Sequence, residues 1–291
     1  MIRIDWKTLD GIGQAYVNRL MDYAEDHPKS YLNTRIVNII GPHSFRELIL
    51  CAPHRLKSYA CPKQLAPDAV YSVYNSFFGS FGRDKVNNAD WLLEMLDIRV
   101  CPYCNRSYIF TIKGKQGVRP EWDHFYPRSV KAYKHLAISF YNLIPSCPTC
   151  NRQKRANVFD FHPYYGMVDG SGKMPSLKVD DSKVEYDENH RPILFPDKPE
   201  IKLENAKANS SVLMLESLYK HHSDYAKEIL DKILAYNSSS YTPLVSAFQG
   251  MGRTPEEIDR LIWGNYIAVA RQAKRPMSKL SEDILSQFGI I

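Results

Sequence analysis

The chain has 291 residues, 44% of them hydrophobic and 24% charged, with 38 Lys/Arg against 32 Asp/Glu and six cysteines. This balance suits a globular protein of one large or two small domains and excludes a disordered or fibrous chain. No apolar run is long enough to span a bilayer, and Met1-Ile2-Arg3-Ile4-Asp5-Trp6 lacks a signal-peptide core, so a cytoplasmic protein is expected.

Residues 1–99 read mainly as helix. Leu9, Ile12, Tyr16, Val17, Leu20 and Met21 recur at helical spacing, and His27-Pro28 ends the run. Residues 44–50 and 69–81 read as further short helices. Asn88-Ala89-Asp90 offers a cap for a helix carrying Trp91, Leu92, Met95 and Leu96. These stripes are core, and no chemistry is assigned to them.

The texture changes over residues 100–165. Residues 107–112 are rich in β-formers, residues 113–117 read as a turn, and residues 118–125 as the returning strand. Residues 141–145 form another short apolar run. Cys101-Pro102-Tyr103-Cys104 and Cys147-Pro148-Thr149-Cys150 are matched Cys-x-x-Cys turns. Two such pairs supply the four thiolates of a tetrahedral structural zinc site. Cys51 and Cys61 lack ligand spacing and read as small buried hydrophobes. From Cys101 to Tyr165 there are ten Lys/Arg and three Asp/Glu, a local net charge of +7 within a chain of net +6. A field of that sign points to a polyanionic ligand.

Residues 166–291 open with a stretch rich in Gly, Pro, Asp and Ser to about residue 200, expected to be an ordered excursion or β-hairpin. Val212, Leu215, Tyr219, His222, Ala226, Ile229 and Ile233 then keep a helical period. Thr254 as N-cap, Pro255 at the first helical position and Glu257 as a capping-box partner start another helix. Ile258, Leu261, Ile262 and Ile267 are its expected buried face.

Between the cysteine pairs lie Asp123-His124 at the end of a predicted strand and Asn142 before the second pair; Asn151 follows that pair directly, with Lys154 one turn later. Phosphodiester hydrolysis needs a base to activate water and a cation to neutralise phosphoryl oxygens. An imidazole beside a carboxylate offers both. His135, His162, His221 and His222 have no comparable frame. Tyr103, Tyr108, Phe125, Tyr126, Tyr133 and Tyr141 are interleaved with the basic residues and read as core more than as base-stacking groups.

Cys-x-x-Cys, then Asp-His-Phe-Tyr-Pro, then Asn-Leu-Ile-Pro-Ser-Cys-Pro-Thr-Cys-Asn-Arg-Gln-Lys resembles the HNH endonucleases of the ββα-metal group, over about a fifth of the chain. Cys-Pro-Tyr-Cys-Asn-Arg among helices is similar, more loosely, to HNH proteins of bacterial anti-phage systems of the Septu and retron kind. The resemblance implies an α+β fold in which a small zinc-stabilised ββα-metal core, residues 100–165, sits between a helical region at 1–99 and an excursion plus helices at 166–291. It implies His124 as general base, Asp123 and Asn151 as ligands of a catalytic Mg²⁺ or Mn²⁺, and Asn142 as the residue that orients the loop and the base. Asn151 stands where the family often has His. Arg128, Arg152, Lys154 and Arg155 are then candidates to hold phosphates.

The expected function is metal-dependent endonucleolytic cleavage of nucleic acid, DNA ahead of RNA, in a defence effector working with an ATPase partner. The alternative is a zinc-knuckle module that binds nucleic acid or protein and cuts nothing. The long, nearly neutral helical flanks suit a protein interface, which is compatible with the first reading.

Overall fold

A computed structural model describes residues 1–30, 41–59, 66–112, 118–168, 174–205, 212–236 and 238–291. The fold is α+β, with helices and short antiparallel strand pairs. Two compact units are present: residues 3–103 with 108–172, and residues 1–2 and 104–107 with 173–291. Residues 3–99 and 108–165, different in texture, thus share one unit. Among the described residues no helix is long and apolar enough to cross a membrane. Cys61 and the expected turn at 113–117 lie outside the described residues.

In the first unit α1 (Asp10–Asp26) buries Tyr16, Val17, Leu20, Tyr23 and Ala24 on one face and stops before Pro28, which disfavours helical backbone in the residue ahead of it. Helix α2 covers Gly41–Ile49. Helix α3 (Pro67–Gly79) starts on a proline and buries Val70, Val73, Tyr74, Phe77 and Phe78, the i, i+3, i+4, i+7 stripe of a core-facing helix. Helix α4 (Asn88–Leu96) is capped by Asn87, whose side chain accepts from the N–H groups of Ala89 and Asp90. The expected cap at Asn88 is therefore one residue late. Asn88 is buried, and its amide donates to the Phe77 carbonyl and Ser80 Oγ. Tyr16 ties these helices to the later sequence, packing on Phe77 and Phe140 and donating to the Ile138 carbonyl.

Strand β1 (Glu121–His124) pairs antiparallel with β2 (Leu143–Ser146), Glu121 opposite Ser146 and His124 opposite Leu143. Cys147 then caps α5 (Pro148–Lys154), with Pro148 at its start. The order is strand, strand, helix. The expected pairing of 107–112 with 118–125 is reduced, among the described residues, to one bridge, Ile112 with Val118, while Tyr108 bridges Val100. Two facts account for this. Pro120 has no N–H to extend a ladder, and β2 offers β1 a fully buried partner. Strands β3 (Phe161–His162) and β4 (Gly166–Met167) close the unit as a tight hairpin.

In the second unit β5 (Ser176–Val179) pairs with β8 (Ile201–Glu204), enclosing in sequence the pair β6 (Glu185–Tyr186) and β7 (Pro192–Leu194), so the described part of the Gly/Pro-rich excursion holds β structure. The period over 212–233 does not give one helix. Helix α6 (Leu215–Tyr219) leads through a 3₁₀ turn at Lys220–His222 into α7 (Ser223–Ala235). Helix α8 (Ser238–Gly250) precedes α9 (Pro255–Trp263), which starts with the full Thr254/Glu257 capping box. Leu261 is 56% exposed, contrary to expectation. The buried face of this short helix runs through Ile258, Ile262 and Trp263, which puts Leu261 on the far side. Helix α10 (Ser278–Gln287) covers the edge of β5, where Asp283 and Gln287 accept from the N–H groups of Leu177 and Val179. Residues 104–107 dock in this unit through Asn105, whose Oδ1 accepts from the Lys279 N–H and so caps α10 from outside.

Candidate metal centre and hydrolytic site

Cys101, Cys104, Cys147 and Cys150 are all buried, and their sulfurs lie within 4.8 Å of one another. Each pair carries a backbone N–H donor to one of its sulfurs. Cys104 Sγ accepts from the Arg106 N–H at 3.4 Å, and Cys147 Sγ accepts from the Cys150 N–H at 3.5 Å. Backbone donors of this kind favour thiolate, and four buried thiols at this mutual distance fit tetrahedral zinc with bonds of about 2.3 Å. The cluster can hold a metal ion such as zinc. Cys51 is buried and free, and burial pushes its thiol up to about 11, so it is inert.

Pleating separates the two residues expected to act side by side. On one face of β1, Glu121 and Asp123 point toward α5. Glu121 Oε2 accepts from the Asn151 amide at 2.7 Å. Asp123 accepts from the Tyr103 hydroxyl at 2.5 Å and from the Lys154 ammonium at 3.1 and 3.2 Å. On the other face Trp122 packs on Phe78 and His124 on Tyr74, both from α3.

Lys154, expected among the phosphate-binding residues, is instead a structural cation. It is fully buried, and its ammonium donates to Asp123 and to the carbonyls of His124 and Phe125, at 2.9 and 3.1 Å for the carbonyls. No N–H remains for a phosphate. Burial pushes the Asp123 carboxyl up and the Lys154 ammonium down, and their contact opposes both shifts. Burial, reinforced by the Asp123 charge, also holds the Tyr103 hydroxyl protonated as a donor.

Replacing Lys154 by Met should therefore destabilise the protein rather than weaken nucleic-acid contacts. Removing one partner of a buried pair costs roughly 3–5 kcal/mol, a drop in melting temperature of about 10 °C for a unit of this size. Asp123→Asn in the Lys154→Met background should recover part of that loss. Calorimetry of the two single variants and the double variant checks this. An unchanged melting temperature with a shallower salt dependence of binding would restore Lys154 as a phosphate ligand.

His124 is 5% exposed. Its Nε2 lies 3.1 Å from the Ala137 carbonyl. A carbonyl only accepts, so Nε2 carries the hydrogen and Nδ1 carries the lone pair. Burial pushes the imidazole down to about 3, and the nearby positive charge of Arg128 acts in the same direction. The ring is neutral near pH 7. Asn142 is completely buried and braces the loop after β1, donating to the carbonyls of Tyr126 and Leu136 at 3.2 and 3.0 Å and accepting from the Tyr126 N–H at 2.8 Å. It thereby fixes the 125–137 segment that holds His124.

Arg128, Arg152 and Arg155 are exposed. Arg128 lies over the Tyr71 ring at 4.7 Å. Arg155 follows the last residue of α5 at a positive φ of 49°. Asn151 meets Glu121 rather than Asp123. Glu121 has no motif of its own in the sequence, although it lies two residues before Asp123 and so on the same strand face. Tyr103 reads there only as core, although its place between knuckle cysteines ties it to the metal frame. His162 is buried, and its Nδ1 accepts from the Tyr164 N–H.

No family model, no characterised protein and no solved structure matches the chain.

Proposed function

We propose that this protein is a nuclease of the HNH, ββα-metal kind, with one structural zinc in the cysteine cluster and His124 as general base. The observation that carries the reading is the contact of His124 Nε2 with the Ala137 carbonyl at 3.1 Å. A carbonyl on Nε2 holds a neutral ring whose free lone pair, on Nδ1, is available to take a proton from an attacking water. Support also comes from the strand–strand–helix order, with one cysteine pair before it and the other at the start of its helix, and from Asn142 bracing the loop that carries the base. Arg128, the exposed guanidinium whose charge acts on His124, is the cation best suited to hold the scissile phosphate; Arg152 and Arg155 are exposed and available to flanking phosphates.

A divalent cation, when bound, neutralises developing charge on the phosphoryl oxygens. The donor set expected for Mg²⁺ or Mn²⁺ does not fit as it stands. Both Asp123 oxygens are engaged by Tyr103 and Lys154, and Asn151 turns its amide nitrogen to Glu121.

The same closure of Asp123, with the deep burial of His124, favours the second reading, a zinc-knuckle binding module without catalysis. Supercoiled DNA and tRNA, each incubated with Mg²⁺, with Mn²⁺ and with neither, separate the two. The nuclease reading expects cleavage of at least one substrate under at least one of these conditions. Tight binding with intact substrate under every condition supports the binding module. The resemblance to anti-phage proteins adds the proposal of an ATPase partner that controls cutting, tested by which proteins copurify with the tagged chain from its host.

A further inference from the structure

Residues 108–112 form a short extended ribbon held at both ends, with the Ile109 N–H donating to the Arg99 carbonyl at 2.9 Å and the Ile112 N–H to the Val118 carbonyl at 2.7 Å. Ile109 is buried and anchors it. Alternation then sends the next side chains outward. Tyr108, Phe110 and Ile112 are 49%, 51% and 62% exposed, and Val118 across the bridge is 60% exposed. The Tyr108 and Phe110 rings stack on each other, centroids 4.5 Å apart at 21°. Scattered exposed apolar residues are ordinary, but a contiguous apolar row on a fixed backbone marks an interaction surface. Of the six aromatics interleaved with the basic residues, Tyr103, Phe125, Tyr126 and Tyr141 are buried, whereas Tyr108 stands out in solvent.

We propose that this ribbon is a nucleic-acid-binding wing, on which Tyr108 and Phe110 stack against unpaired bases. The occupant follows from charge. Residues 106–119 carry four Lys/Arg in sequence and no acid, so the aromatic row lies in a cationic stretch suited to phosphates. A second copy of this chain would bring like charges together. Exposed flat ring faces in a stretch of cationic sequence match single-stranded nucleic acid, where stacking is sequence-tolerant because every base has a π-face. The backbone is already fixed, so little conformational entropy is lost on binding. The inference rests on the reading that nucleic acid is the ligand, and not on cleavage.

The test is Tyr108→Ala/Phe110→Ala against wild type. Fluorescence anisotropy without Mg²⁺ or Mn²⁺ would follow binding to a short single-stranded oligothymidylate, an oligouridylate and a duplex of equal length. The expected result is single-strand affinity weakened by at least about tenfold, little change on the duplex, and an unchanged melting temperature, since both rings are exposed. Unchanged single-strand affinity overturns the proposal. So does an equal loss on duplex, or a loss confined to self-association or to capture of a protein. If wild type binds through the wing yet cuts nothing, the nuclease reading fails and the wing stands.

Discussion

Replacing Cys147 by alanine is expected to leave the protein without stoichiometric zinc and with its first unit unfolded. The effect should be large because two losses coincide. Structural zinc sites are worth roughly 10–16 kcal/mol of apparent binding free energy near neutral pH, and that energy becomes folding energy where the site exists only in the folded chain. A whole domain is stable by only about 5–15 kcal/mol. Cys147 also caps α5, its sulfur accepting the Cys150 N–H, and α5 carries Lys154, whose ammonium fixes Asp123 and the end of β1. Cys101→Ala should behave the same way. Cys51→Ser, outside the cluster, should leave zinc content unchanged. Elemental analysis of gel-filtered protein together with a thermal melt reads the outcome. A Cys147→Ala protein that melts like wild type, or a well-folded wild type without zinc, would remove the structural metal.

The parts of this architecture that are legible in the sequence share one property: each depends on local spacing. Two residues between cysteines set a knuckle, Thr254-Pro255 with Glu257 sets a helix start, and apolar positions three and four apart set α1 and α3. All of these follow from backbone geometry within a few residues. The rest depends on partners distant in the chain. Residues 107–112 look like the mate of β1, but the mate is β2, chosen because Leu143 and Ile144 become buried there. Lys154, between Arg152 and Arg155, reads as one of a solvated basic group, although it stands four residues after Cys150 and therefore on the same helical face as that buried thiol. Neighbours in a strand point to opposite faces, so the adjacency of Asp123 and His124 in sequence is itself the reason that they part in space. That Tyr74 and Phe78 of α3 supply the surface against which His124 and Trp122 pack has no signal in sequence, because nothing local links residues 67–79 to residue 124.

These distant contacts also decide which basic residues remain available to a polyanion. Lys154 is withdrawn into the fold, while Arg128, Arg152 and Arg155 stay exposed. The charge excess of the region is not reduced by this, because Lys154 and Asp123 neutralise each other. Nucleic-acid affinity should fall with rising salt through the exposed guanidinium groups, with sequence-tolerant stacking added by the ribbon at Tyr108 and Phe110.

The reading of His124 as the base is tested most directly by cleavage with the His124→Ala variant. General-base catalysis contributes about 10²–10⁴-fold to rate, and the imidazole is positioned by the Ala137 carbonyl and by a loop braced by Asn142 rather than by the zinc ligands. The measurement is the rate of nicking of supercoiled DNA, and of tRNA breakdown, by wild type and variant at equal zinc content, with Mg²⁺ or Mn²⁺ present. Wild type is expected to cut, and the variant, zinc-loaded and folded, to be slower by about a hundredfold or more. A zinc-loaded His124→Ala protein that cuts as fast as wild type would contradict it.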